Sequence, residues 1–98
     1  LSMMKRTSSH KDLTPEQYLI QAEGPDQSGT IKALTSHLAK NNADVVSLRS
    51  GVSHNNEQLW QHTEVIIELP VGSDIKDFEQ GFSRLCQKLN MTFTLTAS

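Results

Sequence analysis

The sequence predicts an α+β fold: a four-stranded antiparallel sheet with two helices on one face, in the order strand, helix, strand, strand, helix, strand. Three observations lead there. Four segments alternate apolar and polar residues with a period of two, two segments place apolar residues at steps of three and four, and turn residues separate them. Residues 1–16 are polar apart from Leu1, Met3, Met4 and Leu13 and have no sustained period. They end in Thr14-Pro15-Glu16, where proline disfavours a preceding helix, and they read as a linker or tail ahead of a domain at 17–98.

The first strand is expected from Gln17, with Tyr18, Ile20 and Ala22 alternating with Leu19, Gln21 and Glu23. Gly24-Pro25-Asp26-Gln27-Ser28-Gly29 should break it as a tight loop, with Asp26 or Ser28 capping the helix that follows. That helix, about Ser28 to Asn41, carries Ile31, Leu34 and Leu38 on one side and Lys32, Ser36 and Lys40 on others. Asn41-Asn42 suits its C-terminal end, because asparagine tolerates the left-handed conformation. Val45 to Val52 reads as the second strand, with Val46, Leu48 and Val52 on one face and Val45, Ser47 and Arg49 on the other. His54-Asn55-Asn56-Glu57 reads as a turn. Leu59 to Leu69 is the third strand, with Thr63, Val65, Ile67 and Leu69 on one face and His62, Glu64 and Glu68 on the other. After Pro70-Val71-Gly72-Ser73, a helix beginning at Ser73 or Asp74 carries the stripe Ile75, Phe78, Phe82, Leu85, Cys86 and Leu89. Met91 to Thr96 alternates strictly and closes the set.

With right-handed crossovers for each strand-helix-strand step, this order gives the ferredoxin-like βαββαβ sandwich. Two helices cover one face of its sheet. The other face and two sheet edges are left to water or to another chain.

Composition narrows the function. At 98 residues, the chain buries only roughly 60–65% of its unfolded surface and cannot enclose a large catalytic cavity in a second lobe. A net charge of -2, with 11 Asp plus Glu against 9 Lys plus Arg, supplies no basic field for phosphates and argues against direct nucleic-acid contact. Cys86 is the single cysteine and can make no internal disulfide. With no apolar run near ~18 residues and no apolar segment of signal-peptide type, the expectation is a soluble protein of a reducing compartment, the cytoplasm. The four histidines have no metal-ligand spacing, and Cys86 lies on an apolar stripe where a thiol is most often a small core residue.

The fold hosts many functions, so the site must decide. A metal chaperone would need Cys-x-x-Cys in the first loop. A single-strand RNA binder would need stacking aromatics on the central strands, where only Tyr18 and Trp60 stand. A phosphate-cradling loop would need an arginine, and none lies between Arg6 and Arg49.

Tyr18 to Val46, YLIQAEGPDQSGTIKALTSHLAKNNADVV, resembles the opening of an ACT domain, a small-molecule-sensing module. The family pattern is a strand, Gly-x-Asp-Arg-Pro-Gly, an amphipathic helix, and a small residue followed by Asn-Ile. Gly24, Asp26 and Gly29 match it, Gln27 and Ser28 replace the usual Arg and Pro, and Asp44 stands where Asn is common. The resemblance covers about residues 17–96. Within the family, Met4-Lys5-Arg6-Thr7 and the polar linker after it resemble the junction between tandem modules in transcriptional repressors of the glycine cleavage system. Phe82 to Asn90, FSRLCQKLN, resembles the last helix of those repressors. On that likeness Leu1 to Thr7 ends a preceding module, which fits a chain that does not begin with Met.

The resemblance implies a non-catalytic regulatory domain without cofactor or metal, acting on transcription through a protein partner. The partners it implies are a small-molecule effector such as glycine or another amino acid, a transcription factor, and a second module in a homodimer or tandem pair. The ligand-binding candidates are Gly24, Pro25, Asp26, Gln27, Ser28, Gly29 and Asp44. At the loop, helix N-H groups would meet a carboxylate and Asp26 an ammonium. Asp44 in place of Asn adds charge, favouring an ammonium and disfavouring a carboxylate. Trp60, His62 and Ile66, on the face without helices, are the interface candidates. The alternative host is a metabolic enzyme such as formyltetrahydrofolate deformylase, carrying this chain as its N-terminal regulatory module.

Overall fold

A computed structural model describes residues 15–98. Of the linker read at 1–16, residues 1–14, with the basic tetrapeptide Met4–Thr7, lie outside the described residues, and Glu16 already pairs in the first strand, opposite Leu69. Strand β1 (Glu16–Pro25) leads to helix α1 (Thr30–Lys40), followed by β2 (Asp44–Asn55), β3 (Gln58–Leu69), helix α2 (Ile75–Lys88) and β4 (Thr92–Ala97). The four strands form one antiparallel sheet in the order β2-β3-β1-β4. This is the expected βαββαβ topology.

Strand periodicity sets the core. Ile20 and Ala22 of β1 share a face with Thr63, Val65, Ile67 and Leu69 of β3, and the apolar stripes of both helices close over them. Leu34 and Leu38 of α1 and Phe78, Phe82 and Cys86 of α2 are buried there. Phe82 also meets Phe93 of β4 edge to face, with ring centroids 5.0 Å apart. Burial pushes the Cys86 thiol up to about 11, so the cysteine is a core residue as its place on the stripe implied.

Two local readings are corrected. The β2 alternation breaks at a bulge between Val45 and Ser47, so Val45, opposite Ile67, joins the face of Leu48, opposite Val65. The extra residue, Val46, is left exposed. The hairpin turn is only Asn56-Glu57, both at positive φ (53° and 68°), and His54 and Asn55 continue the strand.

Candidate functional site

The β1–α1 connection is shorter than its glycines and proline suggest. Pairing with β3 runs on through Gly24 opposite Gln61 and Pro25 opposite Trp60, and the Asp26 N-H still donates to the Leu59 carbonyl at 2.9 Å. Gly24 and Pro25 therefore close the strand, and the loop proper is Asp26 to Gly29. Gly24 has a packing reason to be glycine, since a Cβ there would lie 2.7 Å from Met91 Cγ and 2.9 Å from the Asn90 carbonyl oxygen.

The expected helix cap is also corrected. Neither Asp26 nor Ser28 caps α1. Gly29 is the N-cap residue, at φ 82°, and among the described residues no side chain bonds to the first helical N-H groups. The cause is the path of the chain: Asp26 is held in the sheet ladder, and the turn to the helix is made in the left-handed region that glycine favours. Thr30 Oγ1 donates back to the Gln27 carbonyl at 3.0 Å, which ties the turn without serving the N-H groups. A helix start has unpaired N-H groups and partial positive charge, and here Asp26, Ser28 and Gly29, the residues leading into it, are exposed.

Gln27, at the position where the family carries arginine, is committed elsewhere. Its Nε2 donates to the Leu89 carbonyl at 2.6 Å, clasping the loop to the end of α2. Asp44 is distant from all of these. It pairs with Glu68 of β3, whereas the loop meets β3 at Trp60, eight residues away, about 26 Å at the usual strand rise. Within one chain the structure does not bring Asp44 to the loop.

The interface candidates share the open face. Trp60 Nε1 donates to Glu23 Oε1 at 3.3 Å, His62 Nδ1 lies 3.2 Å from the same oxygen, and His62 Nε2 is 3.0 Å from Ser53 Oγ. Ile66 sits opposite Leu19, one row beyond Gln21 and Glu64. A shallow groove of about 390 Å³ lies between β3 and β4 across β1, lined among others by Gln21, Glu23, His62, Glu64, Thr92 and Thr94. Glu23, Asp44, Glu64 and Glu68 share this face with one guanidinium, Arg49, 3.9 Å from Glu64. Among the described residues, no group of three or more His, Cys, Asp or Glu is placed to hold a metal ion, and no helix is long and apolar enough to cross a membrane.

Sequence reasoning missed Glu23, Ser53 and Gln61. The first two become visible only through strand register, which sets Glu23 beside His62 and Ser53 beside Trp60. Gln61 had a signal: it occupies a core-facing position in β3, in phase with Thr63 and Val65.

Several solved structures share this fold. An ACT domain protein from Streptococcus pneumoniae superposes with a TM-score of 0.71 at 14% identity, covering 86% of this chain and 91% of that one. The chain has an ACT-like fold. A formyltetrahydrofolate deformylase from Pseudomonas putida KT2440 gives 0.75 at 22% identity, over 85% of this chain and 29% of the enzyme. A structure assigned as a glycine cleavage system transcriptional repressor gives 0.75 at 19% identity, over 87% of this chain and 48% of that one. The ACT-like chain thus spans under a third of the deformylase and about half of the repressor. No family model matches the sequence, and no curated protein matches it.

Proposed function

We propose that this chain is a non-catalytic regulatory module of a cytoplasmic transcriptional repressor of the glycine-cleavage type. It senses a small amino acid at the start of α1 and binds a partner regulator through its sheet. The observation that carries the reading is the uncapped N-terminus of α1 beside an exposed Asp26. Free N-H groups and helix charge suit a carboxylate, and the Asp26 carboxylate suits the ammonium a few ångströms from it in an amino acid. Asp44 joins such a site only from a second copy. The likeness of Met4–Thr7 and Phe82–Asn90 to glycine cleavage repressors supports the choice of host.

The open face supports the second half of the reading. Stacking two copies face to face would oppose their carboxylates across a dry interface, with Arg49 as the one guanidinium on each among the described residues. A sister module or a transcription factor with basic groups suits that face better, with Trp60 and Ile66 as apolar anchors.

Calorimetric titration of the full-length protein with glycine and serine tests the sensor. Saturable binding lost in Asp26→Ala is expected. If neither amino acid binds while the protein still captures a transcription factor, the sensor half is wrong and the interaction half stands. The deformylases of the same fold favour a second reading, an N-terminal regulatory module of such an enzyme. The full gene decides it by the presence of a catalytic domain downstream.

A further inference from the structure

Side chains from three neighbouring positions on the open face of the sheet form one chain of contacts. Ser53 of β2 sits opposite Trp60 of β3, and His62, two residues on, lies between Gly51 of β2 and Glu23 of β1. Ser53 Oγ is 3.0 Å from His62 Nε2, and His62 Nδ1 is 3.2 Å from Glu23 Oε1. Trp60 Nε1 donates to the same carboxylate oxygen at 3.3 Å. His62 and Glu23 are half-exposed and Ser53 is exposed, so a reagent in water reaches all three.

Donors and acceptors fix the roles. An ionised carboxylate only accepts, so a neutral His62 places its proton on Nδ1, toward Glu23. Its Nε2 then carries the lone pair and accepts from the Ser53 hydroxyl. A hydroxyl donating to an imidazole whose other nitrogen is oriented by a carboxylate is the arrangement that makes serine a nucleophile. Two features of β2 leave room for a reaction there. Gly51 presents no side chain beside His62, and a Cβ at that position would meet no atom within 4 Å. The Leu59 carbonyl accepts from the Asp26 N-H and so points toward β1. Its β2 partner His54 accordingly turns its own N-H away from β3, to the edge of the sheet. That N-H belongs to the residue after Ser53, a place from which a backbone donor can meet a developing oxyanion.

We propose that Ser53 is an acyl-acceptor site, modified by a small activated acyl donor, a thioester or an aryl ester. Ser53 Oγ attacks the carbonyl carbon while its proton passes to His62 Nε2. The Oγ–C bond forms, the bond from that carbon to the thiol or phenol breaks, and the leaving group takes the proton from His62. The products are an O-acyl serine and a free thiol or phenol, and no other reactant is consumed. Glu23 is a positioning residue that acts through the tautomer of His62. The inference goes beyond the regulatory reading and does not depend on it. An acylated Ser53 has no proton to donate to His62, which alters the face read above as the partner surface.

The test treats the full chain with p-nitrophenyl acetate, following nitrophenolate release and mapping acetyl groups by mass spectrometry. Ser53 should be acetylated ahead of the lysines. Ser53→Ala should abolish the fast phase of release, His62→Gln should slow acetylation of Ser53 about a hundredfold, and Glu23→Ala should slow it about tenfold or more. All three are exposed positions, so thermal melts of the variants should match the parent. The ring-nitrogen chemical shifts of His62 should report a proton on Nδ1 in the parent and on Nε2 in Glu23→Ala, a change that a merely structural Glu23 would not produce. A fast phase that survives in Ser53→Ala, or acetyl groups spread over the lysines with no excess on Ser53, overturns the inference. A neutral parent His62 protonated on Nε2 overturns it as well.

Discussion

The two helices of this domain start in opposite ways. At α2, Asp74 is the N-cap, and its Oδ1 accepts from the Lys76 and Asp77 N-H groups at 3.1 and 3.2 Å. The cavity beside it, about 160 Å³, is lined by Asp74 and Asp77 among others. Its carboxylates would repel an anion. At α1, the chain arrives through a left-handed Gly29 and leaves the helix start without a side-chain acceptor. Both ends carry the same partial positive charge. One is neutralised by its own sequence, and the other has no side-chain acceptor among the described residues.

Substitutions can break or sharpen that contrast. The largest effect is expected at Gly24, where an alanine Cβ would press on Met91 and the Asn90 carbonyl. Gly24→Ala should cost about 1–3 kcal/mol in chemical denaturation, because two of the atoms it meets, the Asn90 carbonyl oxygen and Met91 Cα, belong to the backbone. Gly29→Ala should cost about 1–2 kcal/mol for a non-glycine residue in the left-handed region. A smaller value would show that α1 can start differently. Asp74→Ala should cost about 1 kcal/mol by removing the α2 cap, whereas Asp26→Ala should change stability by less than about 0.5 kcal/mol while losing glycine binding. Equal costs at Asp74 and Asp26 would erase the contrast.

The smallest effect concerns the far end of α1. His37 packs against Phe78 and Phe82, with ring centroids 6.5 and 5.7 Å away, and is bonded by Asn41. Burial first, and then Lys40 nearby, hold its pKa below the usual histidine range. The folded state therefore binds fewer protons than the unfolded chain. Its contribution is full above pH ~6.5, the ordinary histidine value, and declines as pH falls through the lowered native value. His37→Gln should remove that acid-side decline in thermal melts between pH 5 and pH 7, conditions set by the ordinary histidine range of about 6.5.

Much of the fold was legible because strand and helix periods are written in single residues. Val65, Ile67 and Leu69 on one parity, and Phe78, Phe82 and Cys86 at steps of four, fix both faces without any knowledge of partners. The bulge at Val46 was not legible, since inserting one residue flips parity without changing composition. The cap was misread for a related reason. Asp26 and Ser28 are good capping residues by type, but the sheet ladder holds Asp26 and the sequence does not say where pairing stops. That a turn lies between the first strand and the first helix was legible from Pro25, Asp26 and Gly29, although Gly24 and Pro25 proved to close the strand. The separation of Asp44 from the loop was not, because it depends on which end of β3 each strand meets.

On the proposed sensor reading, the start of α1 is open to an anion and the start of α2 is closed by Asp74. Backbone amide chemical shifts during a glycine titration test it directly. The amides of Gly29, Thr30 and Ile31 should move together and saturate, while those of Ile75, Lys76 and Asp77 stay in place. An unmoved α1 start, or equal movement at both helices, would contradict it.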